Sequence, residues 1–261
     1  MNISLNDKYA LVGGASAGIG RAAAIELAAL GANVTLVART ERTLQQAMSE
    51  LDTSKGQRHA YLVADFDDSM ILLAKVSELL RQHPVHVLVN NTGGPAGGAI
   101  TEAEPERFLR AYHNHLVCNQ LLAQAVLPGM KAAGYGRIIN VISTSVKEPI
   151  DYLGVSNVTR WAVAAWAKTW SNEVGQYGIT VNNVLPGYTR TPRLAEIIEK
   201  TAARTNTPVE QMEKKFEGEV PLHRFAEPLE IAAAIAFLAS PAAAYINGIN
   251  LPVDGGRTRS L

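Results

Sequence analysis

The sequence contains a single cysteine, Cys118, so no disulfide can form within the chain. This cysteine lies in the apolar stretch HNHLVCNQLL and has no charged residue beside it. A thiol is reactive mainly where a neighbouring charge lowers its pKa. We therefore expect Cys118 to be a core residue rather than a nucleophile.

Neither sign of charge is in excess, because 24 Lys and Arg residues balance 24 Asp and Glu residues. This balance excludes the basic surface that nucleic acids or anionic membranes require. No apolar run reaches the roughly 18 residues of a membrane-spanning helix. The first residues also lack the basic and apolar segments of a signal peptide, so we expect a cytoplasmic protein.

The six histidines show no metal-ligand spacing such as H-E-x-x-H, and we expect no metal site. Hydrophobic residues make up 47% and charged residues 18% of the 261 residues, which is typical of a globular protein. A chain of this length can form one α/β domain, and we predict a single domain over residues 1–261.

Short apolar runs alternate with longer helical patterns along the chain. The runs predict seven strands at 9–14, 33–39, 60–65, 85–91, 137–143, 179–186 and 248–254. Most are continuously apolar, as strands covered on both faces must be. Alternation of strands and helices predicts an α/β fold with a doubly wound parallel sheet. A long, charged segment at about 190–224 interrupts the alternation, and we predict that it forms a substrate lid.

A glycine-rich turn follows the first predicted strand and opens the first helix. In ALVGGASAGIGRAA, Gly14, Gly18 and Gly20 give the pattern G-x-x-x-G-x-G. Glycines permit a tight turn and close backbone approach, and the helix N-terminus offers free N–H groups to a pyrophosphate. The turn therefore predicts a dinucleotide-binding site.

The end of the second strand predicts which dinucleotide binds. An acidic residue there would bind the adenosine ribose of NAD, but the sequence LVARTE carries Arg39 instead. A guanidinium suits the 2′-phosphate of NADP, so we expect NADP(H) rather than NAD(H). Asp65, at the end of the third strand, is a candidate contact for the adenine amine.

Five stretches of the chain resemble the short-chain dehydrogenase/reductase family, and the 3-oxoacyl-carrier-protein reductases in particular. They are GGASAGIG (13–20), NNTG (90–93), LPGYTRT (185–191), VPLHRFAEPLEIA (220–232) and NGINLPVDGG (247–256). The resemblance implies a Rossmann sheet of about seven strands and a homotetramer or dimer. Together with the residues above, it gives as cofactor contacts Gly14, Ser16, Gly18, Ile19, Gly20, Arg39, Asp65, Asn91, Gly93, Arg160, Pro186, Gly187 and Thr189.

The catalytic positions implied by the resemblance are mostly changed. The family's Ser falls on Ser143, but its Tyr falls on Ser156 and its Lys on Arg160. Its Asn falls on His115, with Asn114 beside it. A serine hydroxyl is a far weaker acid than a phenol, and an arginine cannot pass on its proton.

Another residue could therefore supply the proton. Tyr152 lies four residues before Ser156 and would serve if its loop turns inward. His115 would serve if it titrates near neutral pH.

Three functions remain open at this stage. The first is an NADP(H)-dependent oxidoreductase that interconverts a small-molecule carbonyl and alcohol through an altered proton relay. The second is a cofactor-binding sensor or partner protein whose turnover is reduced. The third is a lyase or hydratase that uses His115.

Overall fold

Parallel strands form one sheet in the computed structural model, which describes residues 1–260. The strands are β1 (Tyr9–Gly13), β2 (Asn33–Ala38), β3 (Ala60–Val63), β4 (Val87–Asn90), β5 (Gly136–Val141), β6 (Ile179–Pro186) and β7 (Asn250–Val253). Their order, β3-β2-β1-β4-β5-β6-β7, confirms the predicted doubly wound sheet. The order reverses between β1 and β4, and such a reversal opens a ligand crevice at the carboxyl ends of the strands.

Helices cover both faces of the sheet. They are α1 (Gly18–Ala29), α2 (Glu41–Met48), α3 (Ser69–Gln82), α4 (Pro105–Tyr112), α5 (Cys118–Ala133), α6 (Gly154–Val174), α7 (Pro192–Thr205), α8 (Val209–Gly218) and α9 (Pro228–Ala239). A π-helical turn, His113–Val117, joins α4 to α5. Such π-helical turns often mark functional sites.

A separate apolar cluster lies on each face of the sheet. One includes Leu27 of α1 and Ile235 of α9. The other includes Val126 of α5 and Cys118, which is fully buried. The Cys118 thiol donates a hydrogen bond to the Phe66 carbonyl at 3.2 Å, and burial raises its pKa to about 12. The prediction that Cys118 is a core thiol is confirmed.

Four asparagines form a ladder of side-chain amides across β4, β5, β6 and β7. Asn90 donates to Asn140 at 2.9 Å, Asn140 donates to Asn183 at 2.8 Å, and Asn183 donates to Asn250 at 2.7 Å. These residues are direct neighbours in the strand register. The ladder therefore fixes the register of four neighbouring strands, whose carboxyl ends lead into the crevice.

Helices α7 and α8 form the segment predicted as a lid. Their apolar side chains pack on one another in a small cluster that contains Leu194, Ile198, Met212, Phe216 and Phe225. Tyr188, which follows β6, stacks on Phe216 with ring centroids 4.9 Å apart. The apolar face of this segment is thus covered by its own packing.

Among residues 1–260, no helix combines the length and apolar character needed to cross a membrane. The same residues contain no group of three or more His, Cys, Asp or Glu side chains placed to hold a metal ion.

Candidate active site and cofactor cleft

The glycine turn between β1 and α1 is shaped for close approach of a ligand. Gly14 and Gly18 have φ values of +57° and +54°, in the left-handed region that favours glycine. A Cβ on Gly20 would lie 2.3 Å from the Gly14 carbonyl oxygen. No side chain caps the first N–H groups of α1. These N–H groups can therefore receive an anionic ligand such as a pyrophosphate.

Asn91 holds this turn in place from the end of β4. Its side-chain amide donates to the carbonyl oxygens of Gly13 at 3.1 Å and Gly14 at 3.5 Å. A Cβ on Gly14 would lie 2.7 Å from the same amide. Asn91 thus fixes the distance between the turn and β4.

Two adjoining cavities, of about 650 Å³ and 610 Å³, lie at the carboxyl ends of the strands. They share Gly14, Ala17, Arg39 and the segment 92–94, and so form one cleft. Each cavity is large enough for part of a dinucleotide or a small substrate. The predicted cofactor residues that line the cleft are Gly14, Ser16, Gly18, Ile19, Arg39, Asp65, Asn91, Gly93, Arg160, Pro186, Gly187 and Thr189. Gly20 is absent from the lining because it packs against Gly14 inside the turn.

The smaller cavity contains a charged cluster that sequence reasoning missed. Asp67 accepts hydrogen bonds from Arg110 Nε at 3.0 Å and from the Asn114 amide at 2.6 Å. These bonds lower the pKa of Asp67 to about 2, and Arg39 contributes a smaller effect. Asp67 therefore neutralises part of the positive charge around Arg39. The sequence signal that could have revealed Asp67 was its position two residues after Asp65, at the end of the third strand.

The larger cavity brings together Ser143, Ser156 and Arg160. Ser143 follows β5, and its Oγ accepts a hydrogen bond from the Ser145 N–H at 3.0 Å. Ser156 and Arg160 lie one turn apart near the start of α6, so they occupy the same face of the helix. The predicted proximity of these three residues is present in the structure.

Arg160 is buried, with 8% of its surface exposed. Its Nη1 donates to the Val141 carbonyl at 2.9 Å. Burial and the nearby Arg193 lower its pKa to about 10, so the guanidinium stays charged at neutral pH. Arg160 therefore places a positive charge in the cavity that Ser143 and Ser156 also line.

His115 lies in the π-helical turn and is 2% exposed. Its Nδ1 forms a short hydrogen bond with the Thr92 hydroxyl. Burial, together with the charge of Arg160, holds its pKa well below the ordinary value of 6.5. The expectation that His115 titrates near neutral pH is therefore wrong, and the imidazole is neutral there.

The loop that carries Tyr152 does not turn inward, so the condition under which its phenol would supply the proton is not met. Tyr152 is 48% exposed and does not line either cavity. The Arg204 guanidinium of α7 lies 3.5 Å from the centroid of its ring. This cation–π contact holds the phenol outside the cleft.

Two further cleft residues, Thr191 and Arg193, were missed by sequence reasoning. The Thr191 hydroxyl accepts a hydrogen bond from the Leu194 N–H and caps α7. Arg193 donates to the Pro95 carbonyl at 2.6 Å and to Glu196 at 2.9 Å, and so connects the lid to the loop after β4. The stretch LPGYTRT already ended on Thr191, but nothing in the sequence showed where Arg193 would point.

Comparisons with known proteins agree with this geometry. A family described as Enoyl-(Acyl carrier protein) reductase matches residues 14–258. The 3-oxoacyl-[acyl-carrier-protein] reductase FabG of Pseudomonas aeruginosa is 34% identical over 262 residues, which cover 97% of this chain and 98% of that protein. Trans-4-hydroxycyclohexanecarboxylate dehydrogenase of Sinomonas cyclohexanicum is 34% identical over 258 residues, which cover 97% of this chain and 93% of that protein.

A solved structure shares the whole fold. L-sorbose reductase from Gluconobacter frateurii, complexed with NADPH and L-sorbose, superposes with a TM-score of 0.93 at 31% identity, and the match covers 100% of both chains. The family match includes most of the glycine turn and the strands β2 to β7. The chain therefore belongs to the short-chain dehydrogenase/reductase family of oxidoreductases.

Proposed function

We propose that the protein is an NADP(H)-dependent oxidoreductase that interconverts a 3-oxoacyl-type carbonyl compound and its alcohol. The observation that carries this proposal is the presence of Ser143, Ser156 and Arg160 in a cavity continuous with the glycine turn. The relatives support it, since one is named as a 3-oxoacyl reductase and another as the dehydrogenase of a hydroxy acid.

The preference for NADP(H) is supported by Arg39, which lines both cavities just after β2. A guanidinium can bind the oxygens of a 2′-phosphate. NADPH is also the cofactor in the L-sorbose reductase complex. The uncapped N–H groups of α1, which follow the glycine turn, fit the pyrophosphate of such a cofactor.

In this proposal the serine hydroxyls orient the substrate and Arg160 supplies charge. Ser143 and Ser156 donate hydrogen bonds to the carbonyl oxygen. The buried charge of Arg160 stabilises the negative charge that develops on that oxygen. The nicotinamide, when bound, supplies or accepts the hydride.

Neither candidate proton donor is suited to its role in this site. Tyr152 lies outside the cleft, and His115 is neutral at physiological pH. Loss of general acid catalysis costs about 10²–10⁴-fold in rate. We expect slow turnover in which the final proton comes from solvent through the open cleft.

The position of Tyr152 outside the cleft and the neutral state of His115 also favour the alternative function. In this alternative the protein is a sensor or partner protein that binds NADP(H) with reduced turnover. Its cleft would hold the cofactor through the glycine turn, Arg39 and Arg160. With either function, the protein is expected to act in the cytoplasm as a homodimer or homotetramer. Its partner would be a small molecule, and no nucleic acid or membrane is expected.

The deciding experiment follows NADPH oxidation at high enzyme concentration with 3-oxoacyl esters, diketones and quinones. We expect slow turnover on 3-oxoacyl compounds, and the double variant Ser156→Tyr/Arg160→Lys should raise it by about 10²-fold or more. Tyr152→Phe serves as the control and should keep the wild-type rate. Tight NADPH binding without turnover on any compound would instead favour the sensor.

A further inference from the structure

Arg160 is a buried cation without an anionic partner. Its Nη1 binds the Val141 carbonyl, but Nε and Nη2 form no hydrogen bond within residues 1–260. No carboxylate forms an ion pair with it in this part of the chain. Burying an unpaired charge is costly, so this site favours a ligand that brings a negative charge.

Arg193 approaches the same place from the lid. A Cβ built on Gly94 would lie 3.8 Å from Arg160 Nη2 and 3.9 Å from Arg193 Nε. The two guanidinium groups therefore converge on Gly94, where glycine leaves the space open. They also repel each other, because Arg193 lowers the pKa of Arg160. An anion between them would remove this repulsion.

Positive charge is in excess across the larger cavity. Its lining includes Arg39, Arg160, Arg193 and Arg257, whereas Glu196 is its one acidic residue within residues 1–260. Glu196 already accepts hydrogen bonds from Arg193 and from Lys200. The carboxylate in the lining thus does not neutralise Arg160.

The anionic groups of the cofactor have other partners in the cleft. The free N–H groups of α1 suit the pyrophosphate, and Arg39 suits the 2′-phosphate. The space at Gly94 lies between the lid and α6, in the cavity that contains Ser143 and Ser156. A charge on the substrate is therefore the better candidate for Arg160 and Arg193.

We propose that Arg160 and Arg193 bind a carboxylate of the substrate beside Gly94. This rests on the proposed function and narrows its substrate to a free oxo acid and the corresponding hydroxy acid. A neutral ketone, ester or thioester would leave Arg160 without an anion and the repulsion between the two guanidinium groups in place. Arginine pairs bind carboxylates through several charged hydrogen bonds, which accounts for the selectivity.

The test is calorimetric titration of the NADP⁺-saturated protein with 3-oxohexanoate and with its methyl ester. The two compounds differ in the negative charge, and binding does not require turnover. We expect the acid to bind about 10- to 100-fold more tightly than the ester, as loss of a charged hydrogen bond predicts. Arg193→Ala should reduce this difference several-fold, because only Arg160 would then bind the carboxylate. Lys214→Ala removes one positive charge from the exposed surface of α8 and should preserve it.

Four outcomes would overturn the inference. The acid could bind no more tightly than the ester, or neither could bind. Alternatively, Arg193→Ala could weaken NADPH binding while the preference for the acid is unchanged, which would assign Arg193 to the cofactor. NADPH oxidation with the ester but not the acid would contradict the inference and still support the proposed function. Acid-selective binding without oxidation of any compound would instead contradict the proposed function alone.

Discussion

At the scale of single residues, the resemblance places Ser156 and Arg160 where the family has a tyrosine and a lysine, and we expect this exchange to separate two roles. The phenol would have provided a proton, and neither replacement can do so near neutral pH. The positive charge, however, is retained. It is held in place because Arg160 is buried and donates a hydrogen bond to the Val141 carbonyl. Cofactor binding and proton transfer are therefore expected to respond differently to substitution.

Arg160→Ala should weaken NADPH binding by about tenfold, because it removes a donor that can bind the neutral ribose hydroxyls of the cofactor while its charge serves the substrate. Ser156→Ala should leave the affinity nearly unchanged, since it removes a neutral hydroxyl from the edge of the cavity. Fluorescence titration of both variants with NADPH measures the difference. Equal affinities would show that Arg160 does not contact the cofactor.

His115 should make stability depend on pH. Its folded-state pKa lies well below 6.5, so below pH 6.5 the unfolded chain binds a proton that the folded chain does not. The free energy of unfolding should therefore fall as the pH drops from about 7 to about 5, and His115→Asn should reduce this fall. Urea unfolding at several pH values measures it. An imidazole NMR signal from His115 that titrates near 6.5 would refute the prediction.

At the scale of elements, the glycine turn depends on one close approach that no other residue permits. In Gly20→Ala the new Cβ would meet the Gly14 carbonyl at 2.3 Å and the Asn91 amide at 2.7 Å. We expect a loss of about 1–3 kcal/mol of stability together with much weaker NADPH binding. Gly218→Ala is the matched control, because a Cβ there meets nothing within 4 Å.

Thermal unfolding and NADPH titration of the two glycine variants measure these effects. Gly218→Ala should keep the wild-type affinity and lose no stability, since alanine favours a helix more than glycine does. A Gly20→Ala protein with unchanged affinity would show that the turn can widen without cost.

The elements themselves were largely predictable, whereas the orientation of single side chains was not. Buried parallel strands read as continuous apolar runs, and all seven were located from the sequence. Whether the loop of Tyr152 turns inward stayed open, because the direction of its side chain depends on Arg204, which lies 52 positions further along the chain. The pKa of His115 likewise depends on burial by several elements, which no local pattern reveals. Arg193 was missed for the same reason.

At the scale of the whole molecule, the exposed apolar residues point to contact between copies of the chain. On the neighbouring helices α4 and α6, Leu109, Val158 and Trp161 are each at least 50% exposed. We expect a mass of two or four times 28.0 kDa by light scattering. Val158→Glu should shift the protein toward monomers, because it would place a charge in the contact. A wild-type mass of 28.0 kDa would refute this.

Because the asparagine ladder joins β4, β5, β6 and β7, a mutation in one of these strands should affect the others. Each interior amide both donates and accepts, so Asn140→Leu would leave the Asn90 amide and the Asn183 carbonyl oxygen without partners. A register slip of one residue would displace a strand end by about 3.3 Å, which exceeds the tolerance of a hydrogen bond. We therefore expect Asn140 and Asn183 to be replaceable only when their hydrogen-bond partners in the ladder are replaced at the same time. Among functional variants, the distance between the glycine turn and the two serines should therefore vary less than the position of the lid helices α7 and α8.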